Sequence, residues 1–145
     1  MPHVKVYIHF VWSTKNRESF LSDKEIRFKV WRHIKENAKF KNIYIDIING
    51  YNDHCHCLVS LGVDQTIKQV MQLIKGESSF WINKEKLINT KFEWQDEYFA
   101  ASVSDSLIEK TRNYIKGQEK HHEQNSFQQE YEDFLEKCGF KKFAD

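Results

Sequence analysis

The sequence predicts an α+β fold: a ferredoxin-like, split βαβ antiparallel sheet with helices on one face, plus a C-terminal helix. Three observations predict it. Stretches rich in β-branched and aromatic residues alternate with polar positions at the two-residue period of strands. Between them, apolar residues recur at helical spacing. The elements then read β-α-β-β-α-β-α, and the first six are in the order of a split βαβ sheet.

Val4 to Trp12 alternates and reads as the first strand. It ends in a polar turn with two cations, Ser13-Thr14-Lys15-Asn16-Arg17. Ser22 is an N-cap candidate, with Glu25 three residues on as the second half of a capping box. Ile26, Val30, Ile34 and Ala38 then mark an amphipathic helix over 23–40, which Phe28 and Trp31 broaden. Ile43 to Ile48 is the second strand. Asn49-Gly50-Tyr51-Asn52-Asp53 is a hairpin connection, so the strand from His54 to Leu61 is its antiparallel neighbour. Asp64 or Thr66 can cap the next helix, where Ile67, Val70, Met71 and Ile74 form one stripe. Gly76 loosens that helix, yet Phe80-Trp81-Ile82 carries it on. Phe92 to Gln95 and Tyr98 to Val103 read as extended segments. Ser104, Asp105 and Ser106 offer caps for a helix on which Leu107, Thr111, Tyr114 and Gln118 share one face. Phe127, Tyr131, Phe134 and Leu135 predict a short final helix.

The 145 residues suit one domain spanning 1–145. Hydrophobic residues make up 40% and aromatics 14%, which excludes a disordered chain. A net charge of +1 announces no nucleic acid by itself. The first 41 residues nevertheless hold ten Lys and Arg against four acidic residues, so a local basic face is expected. Three cysteines without a signal peptide read as a reducing cytoplasm, and no apolar run has the length of a membrane span.

The chemistry-bearing stretch is His54-Cys55-His56-Cys57-Leu58-Val59. On a strand, His54, His56 and Leu58 share one face while Cys55, Cys57 and Val59 share the other. The two imidazoles stand about 7 Å apart at the backbone, close enough to converge on one metal ion. Geometry argues against a structural zinc site from all four residues, because one strand cannot aim four consecutive side chains at a tetrahedral centre. Two partly buried histidines without a ligand remain an alternative on these residues alone. Elsewhere, Tyr114 and Gln118 stack one turn apart on a helix. Two imidazoles and an amide oxygen leave coordination positions open, as a catalytic ion needs. Such an ion can polarise a scissile phosphate. A tyrosine can then attack phosphorus and conserve the bond as a phosphotyrosine ester, with no nucleotide cofactor.

With these stretches in view, the chain resembles the single-tyrosine HUH transposases, where HUH means His–hydrophobic–His, of the insertion-sequence 200/605 group. The resemblance rests on Phe10 to Arg17, His54 to Val59, Leu73-Ile74-Lys75-Gly76-Glu77-Ser78-Ser79, Phe92-Glu93-Trp94-Gln95, Ser102-Val103-Ser104 and Tyr114-Ile115-Lys116-Gly117-Gln118-Glu119-Lys120-His121-His122. It implies His54 and His56 as metal ligands, Gln118 as a third, and magnesium or manganese as the ion. It implies Tyr114 as the nucleophile, forming a 5′-phosphotyrosine link and freeing a 3′-OH. The implied substrate is single-stranded DNA at element ends beside short imperfect hairpins, selected with guide nucleotides. The implied assembly is a homodimer in a bacterial or archaeal cytoplasm, with the tyrosine helix of one subunit often completing the other's site.

Lys15, Arg17 and Lys75 are candidate phosphate contacts, and His121 is either a further DNA contact or a surface histidine. His9 and His33 read as structural, and Trp94 and Tyr98 as core or base-stacking residues. Gly117 stands where many relatives have Asn, and Glu97-Tyr98-Phe99 where they often have Gly-Tyr-Gly. A repeat-associated endonuclease of the same chemistry is one alternative. A non-catalytic nucleic-acid binder is another, and it would need paired aromatics on central strands.

Overall fold

The structure, a computed structural model, describes residues 2–122 and 125–139; the rest of the expected 1–145 domain lies outside the described residues. The strands are β1 (Tyr7–Thr14), β2 (Tyr44–Tyr51), β3 (His54–Ser60) and β4 (Trp94–Val103). The helices are α1 (Lys24–Phe40), α2 (Ile67–Lys84), α3 (Ile108–Lys116), α4 (Gln118–His122) and α5 (Phe127–Lys137). Short 3-10 turns follow β1 at Lys15–Arg17 and β4 at Asp105–Leu107. The strands lie in the order β2-β3-β1-β4, every neighbour antiparallel. This is the expected ferredoxin-like sheet.

The alternation of the strands divides the core. Phe10 and Trp12 of β1, with Cys55 and Cys57 of β3, pack against α1 and α2 through Val30, Ile34, Met71 and Ile74. On the opposite face Leu58 packs on Ile108 and Ile115 of α3. Val11 packs there with Phe99 and Phe127 of α5. The helices of the split βαβ unit thus occupy one face, while α3, α4 and α5 cover the other.

Several local expectations are corrected. The first helix is capped by Asp23, not Ser22: its carboxylate accepts the N–H groups of Glu25 and Ile26 at 2.9 and 3.1 Å. A carboxylate adds its charge to the helix dipole, which a serine cannot. Thr66 caps α2, accepting from the Gln69 N–H at 3.1 Å. Gly76 leaves that helix continuous. The tyrosine helix, expected to run through Gln118, instead ends at Lys116 and restarts after Gly117. Asn49 on β2 is the reason: its Nδ2 donates to the carbonyls of Ile115 and Lys116 at 3.0 and 3.2 Å and so terminates the helical ladder. Arg112 adds a fork onto Asp46 of β2, with both contacts at 2.7 Å. The tyrosine helix is therefore fastened to the sheet of its own chain.

Gly50 sits opposite Cys55 in the β2–β3 hairpin. A Cβ there would collide with the His54 carbonyl oxygen and stand 3.0 Å from the Trp31 ring. Gly50→Ala is expected to destabilise the protein by at least about 1–3 kcal/mol, the usual cost of overpacking. Urea unfolding measures this, and an unchanged midpoint would contradict the packing described.

Candidate active site

β3 turns His54 and His56 toward α3–α5, and both side chains are completely buried. Each ring is fixed through Nδ1. His54 Nδ1 donates to Asp53 Oδ1 at 2.9 Å, and His56 Nδ1 lies 2.9 Å from Nε2 of buried His9. The Nε2 atoms are thereby turned inward, as metal-ligating histidines require. Gln118, at the start of α4, is also fully buried and brings Oε1 to 2.9 Å from His54 Nε2. Tyr114 on α3 places its ring 5.6 Å from that of His56. Arg27 of α1 holds α4 in place, bonding Asn52 at 3.1 Å and Glu119 at 2.8 Å. The four residues expected to carry the chemistry therefore meet within one chain, and two imidazole nitrogens with an amide oxygen fit a divalent ion.

Two residues in this centre were not expected. Glu130 of α5 is 3% exposed, and its Oε1 lies 3.0 Å from His56 Nε2, 3.1 Å from His122 Nε2 and 3.3 Å from His54 Nε2. Its Oε2 accepts from the Tyr114 hydroxyl and from Gln118 Nε2. His122, one turn after Gln118, brings Nε2 to 3.0 Å from Gln118 Oε1. A signal for Glu130 does exist in the sequence. Phe127, Glu130, Tyr131 and Phe134 are spaced i, i+3, i+4, i+7, so Glu130 is the one charge in an apolar stripe. Phe127 stacks on His54 with ring centroids 4.3 Å apart, and Phe134 stands 5.6 Å from Tyr114. α5 thus roofs the centre, and both imidazoles are shut off from solvent beneath it.

The remaining candidates divide. His121 reaches the centre, with Nε2 3.4 Å from Glu130 Oε2. Arg17 lies over the Phe127 ring, 5.4 Å from its centroid. It lines a cavity of about 270 Å³ beside the roof, with Asn16, Gln95 and Tyr131. Lys15 is exposed and pairs with Glu93 at 3.6 Å. Lys75 is half-buried and donates to the carbonyls of Gln95 and Asp96 at 2.5 and 3.1 Å, which ties α2 to β4. Trp94 is core, donating to Ser78 Oγ at 2.9 Å. His33 stacks on Trp81 at 3.8 Å. His9, expected to be structural, orients a site histidine.

Burial dominates the electrostatics. It pushes His9 down to about 3 and His56 down to about 4. For His54 burial is outweighed by the hydrogen bonds to Asp53 and Glu130, so its pKa is raised. Burial would raise Glu130, but bonds from His122, His54 and His56 outweigh it and hold the carboxyl below its usual range. Burial and then the Glu130 charge raise Tyr114, which stays a neutral phenol here at neutral pH.

These shifts fix a sign for stability. In the unfolded chain His9 and His56 take up protons near pH 6.5, whereas in the fold they stay neutral until about pH 3 and 4. The unfolded state binds more protons in this window, so stability falls as pH is lowered, by about 1.4 kcal/mol per unit for each histidine. His54 is protonated in both states there and adds little slope. Urea unfolding in chelator from pH 6.5 to 4.5 is expected to show the decline, reduced in His56→Ala. A flat profile would contradict the burial of neutral imidazoles.

Comparison with known proteins adds to this geometry. No curated protein sequence matches the chain. Among solved structures, one from Deinococcus radiodurans R1, assigned as a transposase, superposes with a TM-score of 0.65 at 20% identity. That match covers 81% of this chain and 93% of the other. A REP-associated tyrosine transposase bound to a REP hairpin superposes with a TM-score of 0.62 at 18% identity, covering 84% of this chain and 72% of that one. Both likenesses are of fold. No helix among the described residues is long and apolar enough to cross a membrane. Residues 3–118 match the family described as "Transposase IS200 like", a span that takes in the histidine pair, Tyr114 and Gln118. On that match the chain belongs to the IS200-like transposases, a family of DNA-cleaving enzymes.

Proposed function

We propose that this transposase cuts and rejoins single-stranded DNA through a 5′-phosphotyrosine on Tyr114, at a divalent metal centre of the same chain. The supporting observation is the meeting of Tyr114, Gln118, His54 and His56 of one chain around a shared buried point. His54, His56 and Gln118 would hold a magnesium or manganese ion, which when bound polarises the scissile phosphate. Asp53 and His9 orient the two imidazoles through Nδ1. The phenolic oxygen of Tyr114 attacks phosphorus, the new O–P bond forms as the bond to the 3′ oxygen breaks, and the proton the phenol gives up is balanced by the one the leaving 3′ oxygen takes up. The released 3′-OH, or that of another strand, reverses the step, so joining draws on the conserved ester and needs no nucleotide.

Hairpin-ended DNA is the proposed substrate. A solved relative is bound to a REP hairpin, and that relative also favours a second reading, a repeat-associated endonuclease of identical chemistry. Arg17 and Lys15 at the rim, with His121 inside, are the proposed phosphate contacts. Residues 1–145 are proposed to act as one endonuclease domain, paired as a homodimer in the bacterial or archaeal cytoplasm.

Covalent trapping tests the chemistry. Wild-type protein with manganese and labelled single-stranded element ends is expected to form an adduct that retains the DNA 3′ of the cut. The adduct is expected to fall to background with chelator and in Tyr114→Phe. Cleavage that persists in Tyr114→Phe would overturn the nucleophile assignment.

A further inference from the structure

We infer that His122 and Glu130, from the segment after the tyrosine helix, are ligands of the ion assigned above to His54, His56 and Gln118. The inference rests on that reading and adds residues beyond the family match, which ends at 118.

His54 Nδ1 donates to Asp53 Oδ1, and His122 Nδ1 lies 2.7 Å from the Asn125 carbonyl, to which it can only donate. With their Nδ1–H groups directed outward, each ring, in the neutral form that ligates a metal, turns an Nε2 lone pair inward. The inner partners are acceptors too. His54 Nε2 lies 2.9 Å from Gln118 Oε1 and 3.3 Å from Glu130 Oε1. His122 Nε2 lies 3.0 and 3.1 Å from the same two oxygens. Four potential ligand atoms therefore form a closed ring, nitrogen and oxygen alternating, which a proton on His54 Nε2 can bridge and a divalent ion can occupy in its place.

The spacing matches an ion. Neighbouring ligands on an octahedral ion with bonds of about 2.1 Å are separated by about 3.0 Å. The sides of the ring run from 2.9 to 3.3 Å, and the ligand atoms of His54, His122 and Glu130 lie within 4.8 Å of one another. His56 Nε2 adjoins the ring, 3.0 Å from Glu130 Oε1.

Charge points the same way. Imidazole and amide ligands are neutral, whereas magnesium and manganese favour carboxylate oxygen. A buried carboxylate in turn needs a cation. Among the described residues the ion pairs of Glu130 are all to histidines, with no lysine or arginine against it. A divalent ion satisfies both requirements at once.

Manganese binding to the full chain without DNA, followed by calorimetry and by loss of the free-ion paramagnetic resonance signal, tests this. Wild type is expected to bind one ion per chain. Glu130→Gln and His122→Ala are each expected to weaken it at least about tenfold, the minimum seen when a metal site loses even a supporting partner. His56→Ala reports on the underlying reading. If it weakens binding while Glu130→Gln and His122→Ala bind as wild type does, the inference is overturned and that reading stands. Tighter binding by Glu130→Gln would also overturn it, since the carboxylate would then be competing with the ion. If wild type binds no manganese, both fall. Circular dichroism checks the folding of each variant. If Glu130→Gln unfolds, Glu130→Asp replaces it: its shortened carboxylate is expected to weaken binding, and unchanged affinity would overturn the inference.

Discussion

Side chains alternate across a strand, and β3 uses that constraint to do two jobs within seven residues. Its odd-numbered residues, Cys55, Cys57 and Val59, fill the core under α1 and α2. Its even-numbered residues, His54, His56 and Leu58, face the other side, where Leu58 packs on α3. A one-residue slip in register would exchange the two sets. Pairing on both edges prevents that slip, since β3 lies between β1 and β2 and the hairpin closes tightly at Gly50.

Burying two imidazoles is unfavourable unless every nitrogen finds a partner. That requirement explains much of the second face. Asp53 and His9 take the outer nitrogens, while Gln118, His122 and Glu130 surround the inner ones. The helices that deliver these partners are held by polar contacts as well as by the apolar packing of Ile108 and Ile115 on Leu58. Asn49 ends α3, Arg112 forks onto Asp46, and Arg27 reaches Glu119 of α4. α5 adds the apolar roof through Phe127 and Phe134.

What was legible in the sequence was local or periodic. The alternation placed His54 and His56 on one face, and the four-residue step put Tyr114 above Gln118. What escaped depends on distant residues. The break at Gly117 needs Asn49, far back on β2, to take the carbonyls of Ile115 and Lys116. Lys75 has the composition of a phosphate contact, yet the carbonyls of β4 occupy its ammonium. Glu130 was hidden by the general rule that glutamates face solvent. Only its place within the Phe127–Phe134 stripe marks it as buried.

The proposed centre lies within one chain, with tyrosine and histidines in cis, although the family resemblance often implies exchange between subunits. Mixing two inactive variants tests this most directly. Tyr114→Phe keeps the histidines and His54→Ala keeps the tyrosine, and each would be incubated with labelled DNA and manganese, alone and together. The mixture is expected to form no covalent adduct under conditions where wild type does. An adduct on the His54→Ala chain, appearing only in the mixture, would show that Tyr114 works in a partner's site and would contradict the account.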